Sequence, residues 1–102
     1  MSAGITLVVA LFTNVGRESE FQEYEAAAAR IMSRYGGKVE RKIRCAPHPN
    51  QPDEIHVLTF PDAAALDRYL ADAELKGLAD LRARAIRETT IWVGEDLPRS
   101  ES

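Results

Sequence analysis

The segment Ile5–Thr13, with the sequence ITLVVALFT, constrains the fold more than any other part of this 102-residue chain. Its residues are apolar or β-branched at both parities of the strand repeat, whereas a strand with one face in water alternates between apolar and polar side chains. Both faces of this strand therefore need cover. The segment predicts a strand in the interior of a sheet, with something packed against each side of that sheet.

A helix and a strand are expected next. Apolar residues recurring every three or four positions favour a helix at about Ser19–Tyr35, where Ser19 and Gln22 fit a capping box. The glycine pair that follows is typical of a helix end. The segment Lys38–Cys45 then predicts a strand with one wet, charged face, which suits the edge of a sheet.

The second half of the chain repeats this order. A proline-rich loop leads to a predicted strand at Glu54–Phe60, and Asp62 is the expected N-cap of a second helical region. A break in that region is expected near Ala71–Ala73. The last strand is predicted at Thr89–Gly94, and the polar tail 95–102 is expected to fray.

The order β-α-β-β-α-β predicts an α+β domain of the ferredoxin-like type, a sandwich of a four-stranded antiparallel sheet with two helices on one face. At this length we expect one domain over residues 1–102, with an ordered core of about 4–95. No element is left to cover the second face of the sheet. A homodimer is the simplest way to cover it.

Composition excludes several classes of function. The formal net charge is −3 and no run of basic residues forms a patch, which argues against a nucleic-acid partner. The apolar run Ile5–Phe12 is far too short to span a membrane. The single cysteine, Cys45, excludes an internal disulfide framework, and neither HxH nor CxxC spacing is present to indicate a metal site. A cytoplasmic location is expected.

The stretch Tyr24–Arg41, YEAAAARIMSRYGGKVER, combines a tyrosine, a helix and a glycine pair before a basic strand. Further matching positions are Phe60-Pro61, Ala65, Tyr69, Glu74 and Leu81-Arg82. This pattern resembles a family of small bacterial proteins, domain of unknown function 1330. The resemblance implies a dimeric α/β-barrel, in a superfamily that includes cofactor-independent monooxygenases, isomerases and haem enzymes. It implies a pocket in each subunit, and no bound cofactor is expected.

His56 is the candidate catalytic residue, because an imidazole can act as general acid or base near neutral pH. The resemblance implies that an aromatic residue just before the second helix faces the cavity, and Phe60 occupies that position. By strand alternation His56 faces the same way. The alternative is a structural histidine held by hydrogen bonds. The other histidine, His48, lies in the proline-rich loop and is expected to be solvated.

Two arginines are candidate anion-binding groups. Arg41 shares its predicted strand face with Val39 and Ile43, and a charge on an apolar face needs a partner. Arg82 follows two leucines on the second helical region. For both arginines the alternative is an ion pair, which for Arg82 would involve Asp80, Glu74 or a partner chain.

Tyr24, Tyr69 and Trp92 are candidate ligand-binding aromatics, with core packing as the alternative for each. Two functions are open. The chain binds a small organic molecule in a pocket on the sheet as a non-catalytic dimer, or it is a cofactor-independent enzyme acting on a hydrophobic, aromatic or acidic small molecule. In the second case His56 would transfer the proton, and Arg41 or Arg82 would hold an anionic group.

Overall fold

Strand β1 lies in the interior of a four-stranded antiparallel sheet with the order β2-β3-β1-β4. The computed structural model describes residues 4–98. The elements in chain order are β1 (Ile5–Thr13), α1 (Glu18–Ser33), β2 (Lys38–Arg44), β3 (Glu54–Phe60), α2 (Ala63–Leu70), α3 (Ala73–Lys76), α4 (Ala79–Ala85) and β4 (Ile86–Gly94). The helices all cover one face of the sheet, as the sequence predicted, so the ferredoxin-like α+β fold is confirmed. The end of the predicted polar tail, residues 99–102, lies outside the described residues.

The two faces of the sheet follow from the strand register. Leu7, Val9 and Leu11 of β1 are buried among the helices, together with Phe60 at the end of β3. Val8 and its neighbours of the same parity lie on the opposite face, which no helix or strand within residues 4–98 covers. We call that surface the open face; it also includes two exposed apolar residues of the edge strands, Ile43 and Trp92.

Helix α1 begins one residue earlier than the predicted start. Arg17 occupies the N-cap position without a side-chain bond that caps the helix, and its carbonyl accepts the first helical bond from Phe21 N at 2.9 Å. Ser19 is therefore already inside the helix, so the predicted capping box is wrong. Glu18 and Glu20 lie in the first turn, where their charges favour the positive end of the helix dipole. The predicted glycine end is confirmed by a positive φ of 77° at Gly36.

The second helical region is divided by its capping residues. Asp62 caps α2 by accepting a hydrogen bond from Ala65 N at 2.8 Å, and the predicted break lies at Asp72, which caps α3. Helix α4 ends at Ala85 and β4 begins at the next residue, with no loop between them. Strand β4 is consequently three residues longer at its start than predicted.

A β-bulge in β2 changes which face Arg41 occupies. Val39 pairs with Leu58 and Arg41 pairs with Val57, so Glu40 is an extra residue on the β2 side of the ladder. Because Leu58 and Val57 point to opposite faces, Val39 lies on the helix side and Arg41 on the open face. The prediction that Val39 and Arg41 share a face is therefore wrong. The order of apolar and polar residues along a strand does not reveal where a bulge lies.

Among the described residues, none of the helices combines the length and the apolar composition needed to cross a membrane.

Candidate functional site

A cavity of about 680 Å³ lies between the helix side of the sheet and the helices. This volume is within the range of about 300–1,000 Å³ that is typical of small-molecule pockets. Most of the wall is apolar and comes from both layers: Leu7, Val9, Leu11, Phe21, Ala28, Ala29, Met32, Val39, Leu58, Leu66, Leu75, Ile86 and Ile91. The polar groups in the wall fall into two clusters on different strands.

The first cluster surrounds His56, whose imidazole is buried on β3 opposite Val9. Its Nε2 atom lies 2.7 Å from Oε1 of Glu54 and 2.9 Å from Oε2 of Glu25 on α1. The Nζ atom of Lys42, on β2, is 3.3 Å from Oε1 of Glu25. We call these four residues the His56 cluster.

The two carboxylates compete for one N–H of His56. Oε2 of Glu25 is buried and has no well-directed hydrogen bond of its own. Burial lowers the pKa of His56, but the hydrogen bonds and charges of Glu25 and Glu54 together outweigh it and raise that pKa above its ordinary value. The cluster therefore favours an imidazolium between two carboxylates, with Lys42 balancing the second negative charge.

The same side chains form the group in the described part of the chain that could hold a metal ion. One donor atom each of Glu25, Glu54 and His56 lies within 4.8 Å of the others. Carboxylate and imidazole ligands suit several divalent metals. A metal would have to displace the proton on Nε2, and the charge of Lys42 opposes its entry.

The Nδ1 atom is the ring nitrogen of His56 that takes no part in the cluster. It makes no hydrogen bond to any residue in the range 4–98. It is also not completely buried, so part of its surface stays accessible. An imidazole with a carboxylate on one nitrogen commonly exchanges a proton at the other. His56 therefore lines the cavity with one ring nitrogen held by the cluster and the other not hydrogen-bonded among residues 4–98.

The second polar cluster comprises Arg82 of α4, Thr89 of β4, and the ring hydroxyls of Tyr69 and Tyr24. Nη2 of Arg82 donates a hydrogen bond to Oγ1 of Thr89 at 2.8 Å. Burial, assisted by the nearby hydroxyl of Tyr24, raises the pKa of Tyr69 to about 12, although the charge of Arg82 opposes this rise. Tyr69 therefore stays neutral and can donate a hydrogen bond.

The structure brings four of the seven sequence-predicted site residues into the cavity wall: His56, Tyr24, Tyr69 and Arg82. Phe60 is buried behind them, with its ring centroid 5.5 Å from that of Tyr69. Arg41 and Trp92 lie on the open face and do not line the cavity. The ion pair of Arg82 with Glu74 considered above is not formed, since Glu74 contacts Arg30 and Arg34.

Sequence reasoning did not identify Glu25, Glu54, Lys42 or Thr89. A signal was present for two of them. Glu54 lies two residues before His56 in a strand and therefore on the same face, and Glu25 follows Phe21 by one helical turn on the apolar side of α1. An acidic residue beside an apolar stripe needs a partner, and His56 is the partner that the fold supplies.

Comparison with protein families gives one decisive match, which covers residues 6–95 and has the description domain of unknown function, DUF1330. The chain belongs to the DUF1330 family. No curated protein matches its sequence.

Solved structures similar to this DUF1330 domain share its fold at low sequence identity. A protein of unknown function from Rhodopseudomonas palustris is 14% identical, with a TM-score of 0.81 over 97% of this chain and 86% of that one. SnoaB, a cofactor-independent oxygenase from Streptomyces nogalater, is 15% identical, with a TM-score of 0.73 over 99% and 100%. A Dabb family protein with a ferredoxin-like fold from Mesorhizobium loti is 16% identical, with a TM-score of 0.69 over 93% and 98%.

Proposed function

We propose that the cavity binds a small organic molecule with a mainly apolar body. The single observation that carries this proposal is the cavity itself, which has about 680 Å³ of space inside the helix–sheet sandwich. Solvent reaches this space, because its wall includes the exposed residues Leu70 and Ile91, and clefts of this size with a mainly apolar wall are where small ligands bind. A purely structural role does not require a cavity of this size beside a buried histidine, His56.

The polar groups give the bound molecule an orientation. His56 and Arg82 belong to opposite walls, and apolar residues such as Val9 and Leu11 lie between them. Ligand pockets typically combine such an apolar body with a few fixed polar groups that set orientation and specificity. The ligand therefore has its apolar part over β1 and polar atoms at one or both ends.

We further propose that the protein is a homodimer formed through the open face. The side chain of Trp92 is 58% exposed there, and that of Ile43 is 38% exposed. Between them lie the half-buried residues Val8 and Val57 of the two interior strands. An apolar surface that crosses all four strands is typical of an interaction site, and a second copy of the same face is the partner that two-fold symmetry provides.

A second candidate function is proton-transfer catalysis without a bound cofactor. The observation that favours it is the arrangement of His56, which lines the cavity with carboxylates at Nε2 and with Nδ1 not hydrogen-bonded among residues 4–98. SnoaB is described as a cofactor-independent oxygenase, and its 15% identity supports a common fold only. In this candidate function, the imidazolium of His56 donates a proton from Nδ1 to the ligand and takes it back later.

The test of binding is a panel of phenols, quinones and short carboxylic acids, followed by ligand-observed NMR and thermal unfolding. We expect at least one class to bind saturably and to raise the unfolding temperature, because a ligand that binds only the folded state stabilises it. Failure of every class, together with a crystal structure in which side chains fill the cavity, would contradict the proposal. For catalysis, a turnover that His56→Ala leaves unchanged would exclude the role of His56.

A further inference from the structure

Arg82 differs from every other arginine that the structure describes. It is half-buried in the cavity wall, whereas the others are exposed. Several of those exposed arginines pair with carboxylates, as Arg84 does with Glu20 at 3.0 Å. No carboxylate between residues 4 and 98 pairs with Arg82; its hydrogen bond to the hydroxyl of Thr89 uses one of five donors.

A half-buried guanidinium without a counter-ion is costly, since burial of a charge is tolerated mainly when the charge is paired. The side chains around Arg82 do not supply the missing charge, because Thr89 and Tyr69 are neutral. Thr89 accepts the bond from Arg82, so its own hydroxyl hydrogen remains to be donated. Arg82 and Thr89 together thus present several donors and one positive charge to the cavity.

The strand register relates Thr89 of this pair to Glu54 of the His56 cluster. Leu11 of β1 pairs with Thr89 on one side and with Glu54 on the other, so Thr89 and Glu54 share one row across three strands. Adjacent strands are about 4.8 Å apart, which puts the two backbones about 10 Å from each other. A ring or a short chain with a polar group at each end suits that span.

The two ends of the cavity differ in charge. At the His56 cluster the positive charges of Lys42 and the imidazolium balance the carboxylates of Glu25 and Glu54. At Arg82 one positive charge is unbalanced. A ligand with one anionic end and one neutral, hydrogen-bonding end matches this distribution, whereas a dianion or a cation does not.

We propose that the cavity takes an organic monocarboxylate, with its carboxylate on Arg82 and Thr89 and its neutral polar end at Nδ1 of His56. This inference rests on the proposed binding function and adds the chemical class of the ligand. A guanidinium and a carboxylate form a fork-like pair, and a hydroxyl beside the guanidinium provides a third donor. The apolar middle of the ligand covers Val9 and Leu11.

The test compares para-hydroxyphenylacetate with its neutral amide, which has the same body and the same phenol. Binding of both to the full chain is measured by titration calorimetry. Hydrogen bonds to charged groups are worth about ten- to a hundredfold in affinity, so we expect the acid to bind tighter than the amide by about that factor. The matching phosphonate shows whether the subsite takes a carboxylate or any anion, and a phosphonate that binds tighter than the acid would overturn the assignment to carboxylates.

Three variants locate the effect. Arg82→Gln is expected to remove the preference for the acid, because it weakens the acid far more than the amide, while Thr89→Val weakens the acid by a few fold. Arg84→Gln, two residues away and exposed, is the matched control and should keep the preference. If Arg82→Gln does not fold, Arg82→Lys is the substitute. It keeps the positive charge but cannot bind both carboxylate oxygens as a guanidinium does, so its preference for the acid over the amide should be intermediate.

The outcomes separate the two proposals. If the acid and the amide bind equally well to the unaltered protein, the anionic subsite is wrong and the binding function stands. If the acid is preferred and Arg82→Gln keeps that preference, Arg82 is not the subsite. If neither probe binds, both the ligand class inferred here and its place in the cavity are contradicted.

Discussion

Glu54 and His56 lie two residues apart on the same face of β3, and the carboxylate Oε1 of Glu54 is 2.7 Å from Nε2 of the imidazole. Strand alternation brings such a pair together without help from the rest of the fold. The fold adds Glu25 from α1 at 2.9 Å, so that two carboxylates face one ring nitrogen. This arrangement sets the ionisation of His56, which the first prediction addresses.

The pKa of His56 should be measurably raised. An NMR titration of the imidazole should give a value above 6.5, and Glu54→Gln or Glu25→Gln should lower it. Glu23→Gln, on the exposed side of α1, is the control and should leave the titration curve of His56 unchanged. A titration curve of His56 that does not move in either Glu54→Gln or Glu25→Gln would show that the contacts do not persist in solution.

The same shift makes stability depend on pH. Because the pKa of His56 is raised in the folded state, its stabilising contribution is complete below about pH 6.5 and is lost as the pH rises through the folded pKa. The unfolding free energy of the unaltered protein relative to Glu54→Gln should therefore decrease across that interval. Chemical denaturation at several pH values measures this, and a difference that grows with pH would contradict the assignment.

Occupying the cavity with a side chain should abolish ligand binding and spare the fold. Ala28 is a half-buried part of the cavity wall on α1, so the ring of Ala28→Phe has space to enter. We expect an unfolding temperature equal to or above that of the unaltered protein, and no saturable binding. Ala83→Phe, at an exposed position of α4 that does not line the cavity, should bind normally; equal binding by both variants would place the ligand elsewhere.

The proposed dimer should depend on the open face. Trp92→Glu puts a charge into a surface that the dimer would bury, so we expect a monomer with unchanged far-ultraviolet circular dichroism. Val15→Glu is the control, because Val15 is fully exposed in the turn after β1. Light scattering measures both variants. A stable monomer of the unaltered protein at micromolar concentration would disprove the dimer.

The glycine pair after α1 should be sensitive to a single methyl group. A Cβ atom at Gly37 would lie 2.7 Å from Cε2 of Phe60 and still closer to the side chain of Met32. Both neighbours are buried, so Gly37→Ala should lower the unfolding free energy by about 1–3 kcal/mol, as overpacking does. Gly94→Ala, where a Cβ meets nothing within 4 Å, should not; equal losses in the two variants would rule out overpacking as the cause.

Local patterns were sufficient to predict much of the fold. The bounds of β1 and β3 match the structure, because each segment is a short run of apolar and β-branched residues that ends at a turn or at a proline. The position of the break at Asp72 was also predicted, since an aspartate can cap a new helix where it stands.

The site was harder to predict, because its contacts join distant segments. Glu25 meets His56 only when α1 packs on the sheet, and nothing in the spacing of the two residues indicates this. The bulge at Glu40 reverses the face of Arg41, since one extra residue shifts every side chain that follows. Strand alternation is therefore a dependable guide within β1 and β3 and misleading across β2.

Helix α4 passes directly into β4 without a loop, so Arg82 and Thr89 are close in the sequence as well as in the structure. The two residues are seven positions apart in one continuous stretch, while the His56 cluster is assembled from α1, β2 and β3. Arg82 and Thr89 thus come from the last third of the chain, whereas the His56 cluster comes from the first two thirds. In the proposed site, substitutions in a few residues after Leu78 would exchange one ligand head-group for another and leave the His56 cluster intact, so the specificity and the chemistry proposed for this domain would change separately.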